Sequence, residues 1–185
     1  TNQKIYNILQ LRVHPQLLKL RENLQKANTI GQKEVLLTYI TSRGPWYHTS
    51  WKGVQDKSGG VATNIGIHFF DLLLWLFGQV GEIKVFYSDT KRISGFIELE
   101  QARVRWFLSV DRNDLPQECL EKGKNTFRSI TVDGQEIEFS EGFGDLHTLV
   151  YANTLAGNGF RISDARPSIE LTYQIRNTEI TPING

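Results

Sequence analysis

Three polar side chains, Asn64, His68 and Asp71, stand four and then three residues apart inside the most apolar stretch of the chain, Ser58 to Gly78. Wound as a helix, that spacing puts all three on one face. An imidazole that titrates near neutrality can take up or return a proton during catalysis. An amide can orient a hydroxyl but cannot serve as a base. A buried helix carries such a stripe only where it meets partners, water or a ligand. The stripe is therefore a satisfied core network or the wall of a site, and spacing alone leaves both open.

A second group of chemistry-bearing residues lies just upstream, in Thr38–Lys52. Arg43 and Lys52 can bind an anion, and the arginine fork suits phosphate or carboxylate. Trp46, Tyr47 and Trp51 offer ring faces for a sugar or base. The plain alternative is a surface loop tacked down by its aromatics. Other chemistries find no support. Gly142-Phe-Gly144 and Gly157-Asn-Gly159 lack the third glycine of a dinucleotide loop, and neither a P-loop nor a nucleophile elbow occurs. No second histidine lies at helical spacing from His68; His14, His48 and His147 are scattered, so no metal site is expected. Cys119 has no visible activating partner. Asp164 reads as a helix-start acid and Arg166 as the partner of a nearby acid.

The elements that must position these residues follow from hydrophobic period. Ile5–Val13 is β-rich and reads as a buried strand; Pro15 opens a helix running to Lys26. Glu34–Ser42 reads as a strand and 43–58 as a long loop of the functional kind. After the apolar helix the period changes to that of strands at Gly81–Asp89, Ile93–Glu100, Ala102–Val110, Asn125–Val132 and Gln135–Ser140. Asp133-Gly134 is the clearest hairpin turn among them. In Arg103–Leu108 alternation leaves Arg103 and Arg105 on a wet face. Asp145–Leu155, closed by Gly157, and the stretch from Asp164 read as helices. The sum is α+β: an open, mainly antiparallel sheet with helices, without the alternating βαβ of a dinucleotide fold.

Composition sets the outer bounds. The 185 residues suit a single domain spanning 1–185, and 39% hydrophobic with 22% charged residues supply a real core. A net charge of +1 offers no bulk attraction for nucleic acid or an anionic membrane. The run Ile67–Phe77 is interrupted by His68 and Asp71 and is short for a bilayer. A single cysteine excludes an internal disulfide, and with no export signal the expected compartment is the cytoplasm. No methionine occurs, which predicts a piece of a longer protein.

The stretch Gly59-Gly60-x-x-x-Asn64-x-Gly66-x-His68-x-x-Asp71 with Trp75-Leu-Phe-Gly78 resembles the signature helix of the Gfo/Idh/MocA oxidoreductases. The tail from Gly157 through Asp164-Ala-Arg-Pro-Ser-Ile resembles their closing helix. Within that family, Leu9–Pro15 and Tyr39–Gly53 are similar to the UDP-N-acetyl-2-amino-2-deoxyglucuronate dehydrogenases of lipopolysaccharide sugar synthesis. The resemblance implies the C-terminal, substrate-binding and oligomerising domain of a two-domain enzyme. Its Rossmann half would hold NAD and supply a catalytic lysine, and neither is assignable in these residues. It further implies oxidation of a sugar C3 hydroxyl with hydride passing to NAD. His68 is then the acid/base candidate. Asn64 stands where many members carry aspartate, so it can only orient the ligand. Arg43 and Lys52 would hold the uronate carboxylate or diphosphate, with Arg12, Tyr39, Tyr47, Ser50 and Thr63 as weaker contacts. This fragment by itself is expected to be inactive and to assemble as a homo-oligomer through its open sheet face. The competing expectations are a non-catalytic sugar-binding or assembly module, and a relative acting on another sugar or cyclitol.

Overall fold

The computed structural model describes residues 4–27 and 31–182, apart from the side chain of His48. In chain order come β1 (Tyr6–Asn7), α1 (Pro15–Lys26), β2 (Lys33–Thr41), α2 (Pro45–Thr49), α3 (Gln55–Ser58) and α4 (Ile67–Phe77). Next are β3 (Val80–Ser88), β4 (Arg92–Leu99), β5 (Ala102–Ser109), α5 (Gln117–Glu121), β6 (Thr126–Val132) and β7 (Gln135–Glu138). The chain closes with α6 (Leu146–Asn153), β8 (Phe160–Arg161) and α7 (Ile162–Asn177).

Six strands form one sheet in the order β3-β4-β5-β2-β6-β7. All neighbours are antiparallel except β2 and β5, which run parallel. Asp133 and Gly134 turn the β6–β7 hairpin with φ of 48° and 82°, the two left-handed residues that a tight primed turn requires. Alternation is clean in β4, where Ile93, Ile97 and Leu99 are buried and their neighbours half-exposed. α4 lies across the buried face, and α7 packs on α4. Phe70 meets Trp106 edge to face at 5.3 Å. Helix and sheet come this close because residue 66 is glycine: a Cβ there would stand 2.8 Å from the Phe70 ring and 2.9 Å from Leu108.

Sandwiched between sheet and α7, α4 is apolar on most of its circumference. Phe69, Phe70, Leu72, Leu73, Leu76 and Phe77 are all buried, each contributing about 1.5–3 kcal/mol. The stretch Gln55–Phe77 is long and apolar enough by composition to cross a membrane, yet these side chains are committed to the core. Gly78, at φ 87°, ends the helix by donating its N–H to Leu74. A second, smaller cluster of Ile40, Leu115 and Cys119 caps one corner of the opposite sheet face.

Two expected elements differ. Ile5–Val13 is not one strand: only Tyr6–Asn7 pairs, with the equally short β8, and Gln10–Val13 winds into a 3₁₀ turn. Strand formation needs a paired neighbour, and β8 provides just two residues. The expected loop 43–58 is instead built of short helical turns, α2 and α3 with a 3₁₀ turn between them. Pro45 opens the first, and Ser50 Oγ accepts from Lys52 N–H to start the next.

Candidate functional site

The polar stripe on the apolar helix divides its labour. Asp71, 3% exposed, takes the guanidinium fork of Arg12 on both carboxylate oxygens, at 2.9 and 2.7 Å. Arg12 also donates to the Asp164 carbonyl at 3.1 Å and lies over the Phe160 ring. This is a satisfied core pair that ties the helix to the start of α7. Both Asp71 oxygens are engaged by the fork, and Arg12, expected as a weak ligand contact, is committed to this pair.

Asn64 and His68 stand apart from that pair. They precede and open α4, and Asn64 belongs to a π-helical turn, Ala62–Gly66; such wide turns recur at functional sites. Both side chains line a cavity of about 180 Å³. Tyr39 and Arg43, from the end of β2, share its wall. The Asn64 amide nitrogen donates to Lys52 O at 3.0 Å, Ser58 Oγ at 2.9 Å and Tyr47 Oη at 3.2 Å. A backbone carbonyl only accepts, so the Lys52 contact settles which end of the amide is nitrogen. Among the described residues no donor meets Asn64 Oδ1, which leaves the acceptor end for a ligand. Asn64 therefore clips the 47–58 segment onto the helix while facing the cavity.

Burial pushes the His68 pKa below its ordinary value; Asp71 opposes the shift, and His147 and Arg128 add to it. The imidazole is thus neutral at physiological pH and able to accept a proton. Burial likewise raises the Tyr47 hydroxyl, with Asn64 and Arg43 pulling the other way.

The remaining expected contacts separate by geometry. Tyr39 stacks on Phe69 with ring centres 4.3 Å apart, at the cavity wall. Arg43 lines the cavity with its Nε buried and unpartnered. Lys52 stands outside it, 5.8 and 5.9 Å from the rings of Trp46 and Trp51, two side chains that are more than half exposed. Tyr47 is core, 3% exposed. Ser50 Oγ donates to Tyr47 O, and Thr63 Oγ1 to Gly59 O. These last three support the wall and do not line it.

Sequence reasoning passed over Arg128, which also lines the cavity. It sits on β6 directly across from Tyr39. Its guanidinium lies 3.8 Å from the Phe143 ring centre and 4.9 Å from that of Tyr39, and Nη1 donates to Ser140 O at 3.1 Å. The signal was available: Arg128 has the same strand parity as Ile130 and Val132, which face the core. Gln10 and Phe143 also line the cavity and were equally unforeseen.

With this geometry in hand, comparison with known proteins is informative. Residues 26–110 match the model of the oxidoreductase family C-terminal alpha/beta domain, of Gfo/Idh/MocA type. The WlbA (WbpB) dehydrogenase from Thermus thermophilus, solved with NAD and UDP-GlcNAcA, superposes with a TM-score of 0.92 at 51% identity over 98% of this chain. The same Thermus protein solved with NAD and alpha-ketoglutarate gives 52% identity and the same TM-score. The WlbA dehydrogenase from Bordetella pertussis shares the fold, with a TM-score of 0.66 at 18% identity over 94% of this chain and 60% of that one. The present chain spans 58% of the length of the Thermus protein. Sheet order and family match agree: residues 26–110 carry the C-terminal alpha/beta domain of the Gfo/Idh/MocA oxidoreductase family, and the chain as a whole is similar to the corresponding part of the Thermus dehydrogenase.

Proposed function

We propose that this chain is the substrate-side domain of a two-domain, NAD-dependent dehydrogenase that oxidises the C3 hydroxyl of a UDP-N-acetylglucosaminuronate. The observation that carries the reading is the convergence on one cavity of His68, whose lowered pKa favours the neutral imidazole, and Arg43, whose Nε is buried without an acceptor. Support comes from the Thermus relative, solved once with a nucleotide-sugar uronate and once with a 2-oxo dicarboxylate. Those two molecules have the carboxylate in common.

NAD, when bound, supplies the acceptor for the hydride. No glycine-rich phosphate loop occurs among these residues, so the dinucleotide diphosphate is held by a part of the enzyme outside them. This chain presents the His68–Asn64 wall to the reacting sugar. His68 takes the hydroxyl proton as the C3–H bond breaks. Asn64 Oδ1 accepts a hydrogen bond from the sugar and fixes its tilt. A cavity of about 180 Å³ is smaller than the roughly 300–1,000 Å³ of ordinary ligand pockets. It accommodates the sugar end only, leaving the nucleotide over the exposed Trp46–Lys52–Trp51 surface. The enzyme would work in the cytoplasm, on precursors of lipopolysaccharide sugars, and as a homo-oligomer joined through the open sheet face.

The deciding experiment is NADH formation by the whole enzyme with the UDP-sugar uronate, beside His68→Gln. Loss of an acid/base group predicts a fall in kcat of about 10²–10⁴-fold. Unchanged kcat in the variant removes His68 from the chemistry. Absence of turnover by the wild type removes this substrate and leaves a dehydrogenase of another sugar or cyclitol, or a binding or assembly module.

A further inference from the structure

The cavity holds two guanidiniums and no carboxylate to neutralise them. Arg43 lies two residues past the end of β2, and Arg128 stands on β6 across from Tyr39. Neither forms an ion pair with an acid among the described residues, and no Asp or Glu lines the cavity with them. Arg43 Nε is buried with no acceptor. Arg128 donates through Nη1 to Ser140 O, interacts with the Tyr39 hydroxyl, and lies against the rings of Phe143 and Tyr39. Burial lowers its pKa, the Tyr39 hydroxyl opposes that shift, and Arg43 adds a smaller push in the same direction as burial, since two like charges stand near each other. Two such groups persist side by side in a protein interior when an anion completes them.

We propose that Arg43 and Arg128 form a two-guanidinium clamp for the sugar carboxylate, making this domain selective for uronates over neutral nucleotide sugars. The inference rests on the nucleotide-sugar reading of the cavity and assigns the work of the two cations in it. In a pyranose, C1, C3 and C5 are 1,3-related to one another, so the C3 hydroxyl, the C5 carboxyl and the anomeric oxygen leave the ring in three different directions. A ring that presents its C3 hydroxyl to His68 has its C6 carboxylate on one flank and its anomeric oxygen on the other, and the two guanidiniums of the same cavity take the flank with the carboxylate. The nucleotide then points outward to Lys52, which serves the diphosphate and not the carboxylate. A neutral hydroxymethyl group in the same place would leave both guanidiniums unsatisfied, and such mismatches are discriminated strongly.

The test uses the whole enzyme and compares UDP-N-acetylglucosaminuronate with UDP-N-acetylglucosamine. Arg128→Met should raise KM for the uronate about 10- to 100-fold and change kcat much less, so that discrimination between the two sugars narrows. Arg128→Lys, which keeps the charge but not the fork, should recover part of the loss. Arg43→Met leaves the Ser140 contact intact and should narrow discrimination in the same way, which keeps the test decisive if Arg128→Met does not fold. Unchanged uronate KM and discrimination in folded variants at both positions overturn the clamp while leaving the dehydrogenase reading in place. If the wild type oxidises no UDP-uronate, that reading falls, and free glucuronate titrated into the enzyme decides the clamp separately. Binding that disappears in the variants upholds it, and a wild type that binds no glucuronate overturns it.

Discussion

At the scale of single residues, the chemistry depends on which protonation state His68 holds. Its pKa is lowered chiefly by burial, with Asp71 opposing and His147 and Arg128 reinforcing. Two consequences follow, with the same sign. A base that must be neutral loses activity as it protonates, so kcat/KM should fall on the acid side with a midpoint below about 6.5, the ordinary imidazole value. Residual activity of His68→Gln should lack that limb; a midpoint above 6.5 in the wild type would contradict the burial argument. Folding is linked to the same proton. Below about 6.5 the unfolded chain binds a proton that the folded imidazole resists, so the unfolded state is favoured as pH falls. The contribution of His68 is complete above that pH and is lost as pH drops toward the folded pKa. Urea melts of wild type and His68→Gln between pH 5 and 8 should therefore converge in slope on the alkaline side and diverge on the acid side.

At the scale of elements, the join between α4 and α7 depends on the Arg12–Asp71 pair, with side chains only 14% and 4% exposed. Breaking one half of a buried pair strands the other charge and costs about 3–5 kcal/mol, while replacing both by apolar groups is often neutral. Asp71→Leu should accordingly lower the thermal midpoint by many degrees, and Arg12→Met with Asp71→Leu should restore most of it. A double variant as unstable as the single one would mean that the ion pair itself holds the helices. The pair also shows where sequence reading stops. Period and turn chemistry located α4, the β3–β4–β5 run and the Asp133-Gly134 hairpin, because those signals are local. That Arg12 reaches a residue 59 positions away, or that β2 inserts in parallel beside β5, is a non-local outcome that no spacing encodes. The same limit explains the cavity. His68, Asn64 and Arg43 lay in stretches dense with chemistry, whereas Arg128 was a single arginine in an ordinary strand whose parity went unused. Tyr47, Ser50 and Thr63 had the right chemistry, but local hydrogen bonding claimed it for the scaffold.

At the scale of the whole molecule, the sheet face away from α4 poses the remaining question. Leu36 is 50% exposed there, and Phe86, Phe96, Lys84, Arg103 and Arg105 line a shallow trough beside Glu34 and Glu98. Six strands, at strand spacing and rise, present a face of roughly 600 Å². A stable interface needs about 800 Å² on each partner, so the face is of the right order for a second copy. Its charges suit self-association: lysine and arginines alternate with glutamates across one surface, so a twofold partner sets opposite signs against each other. Leu36→Glu tests this without disturbing the fold, because an exposed side chain on the outer face contributes within about 0.5 kcal/mol to monomer stability. The whole enzyme should run as an oligomer by light scattering at micromolar concentration, and Leu36→Glu should shift it toward smaller species with its thermal midpoint nearly kept. A wild type that is monomeric under those conditions, or a variant that assembles as before, would assign the apolar patch to something other than self-association.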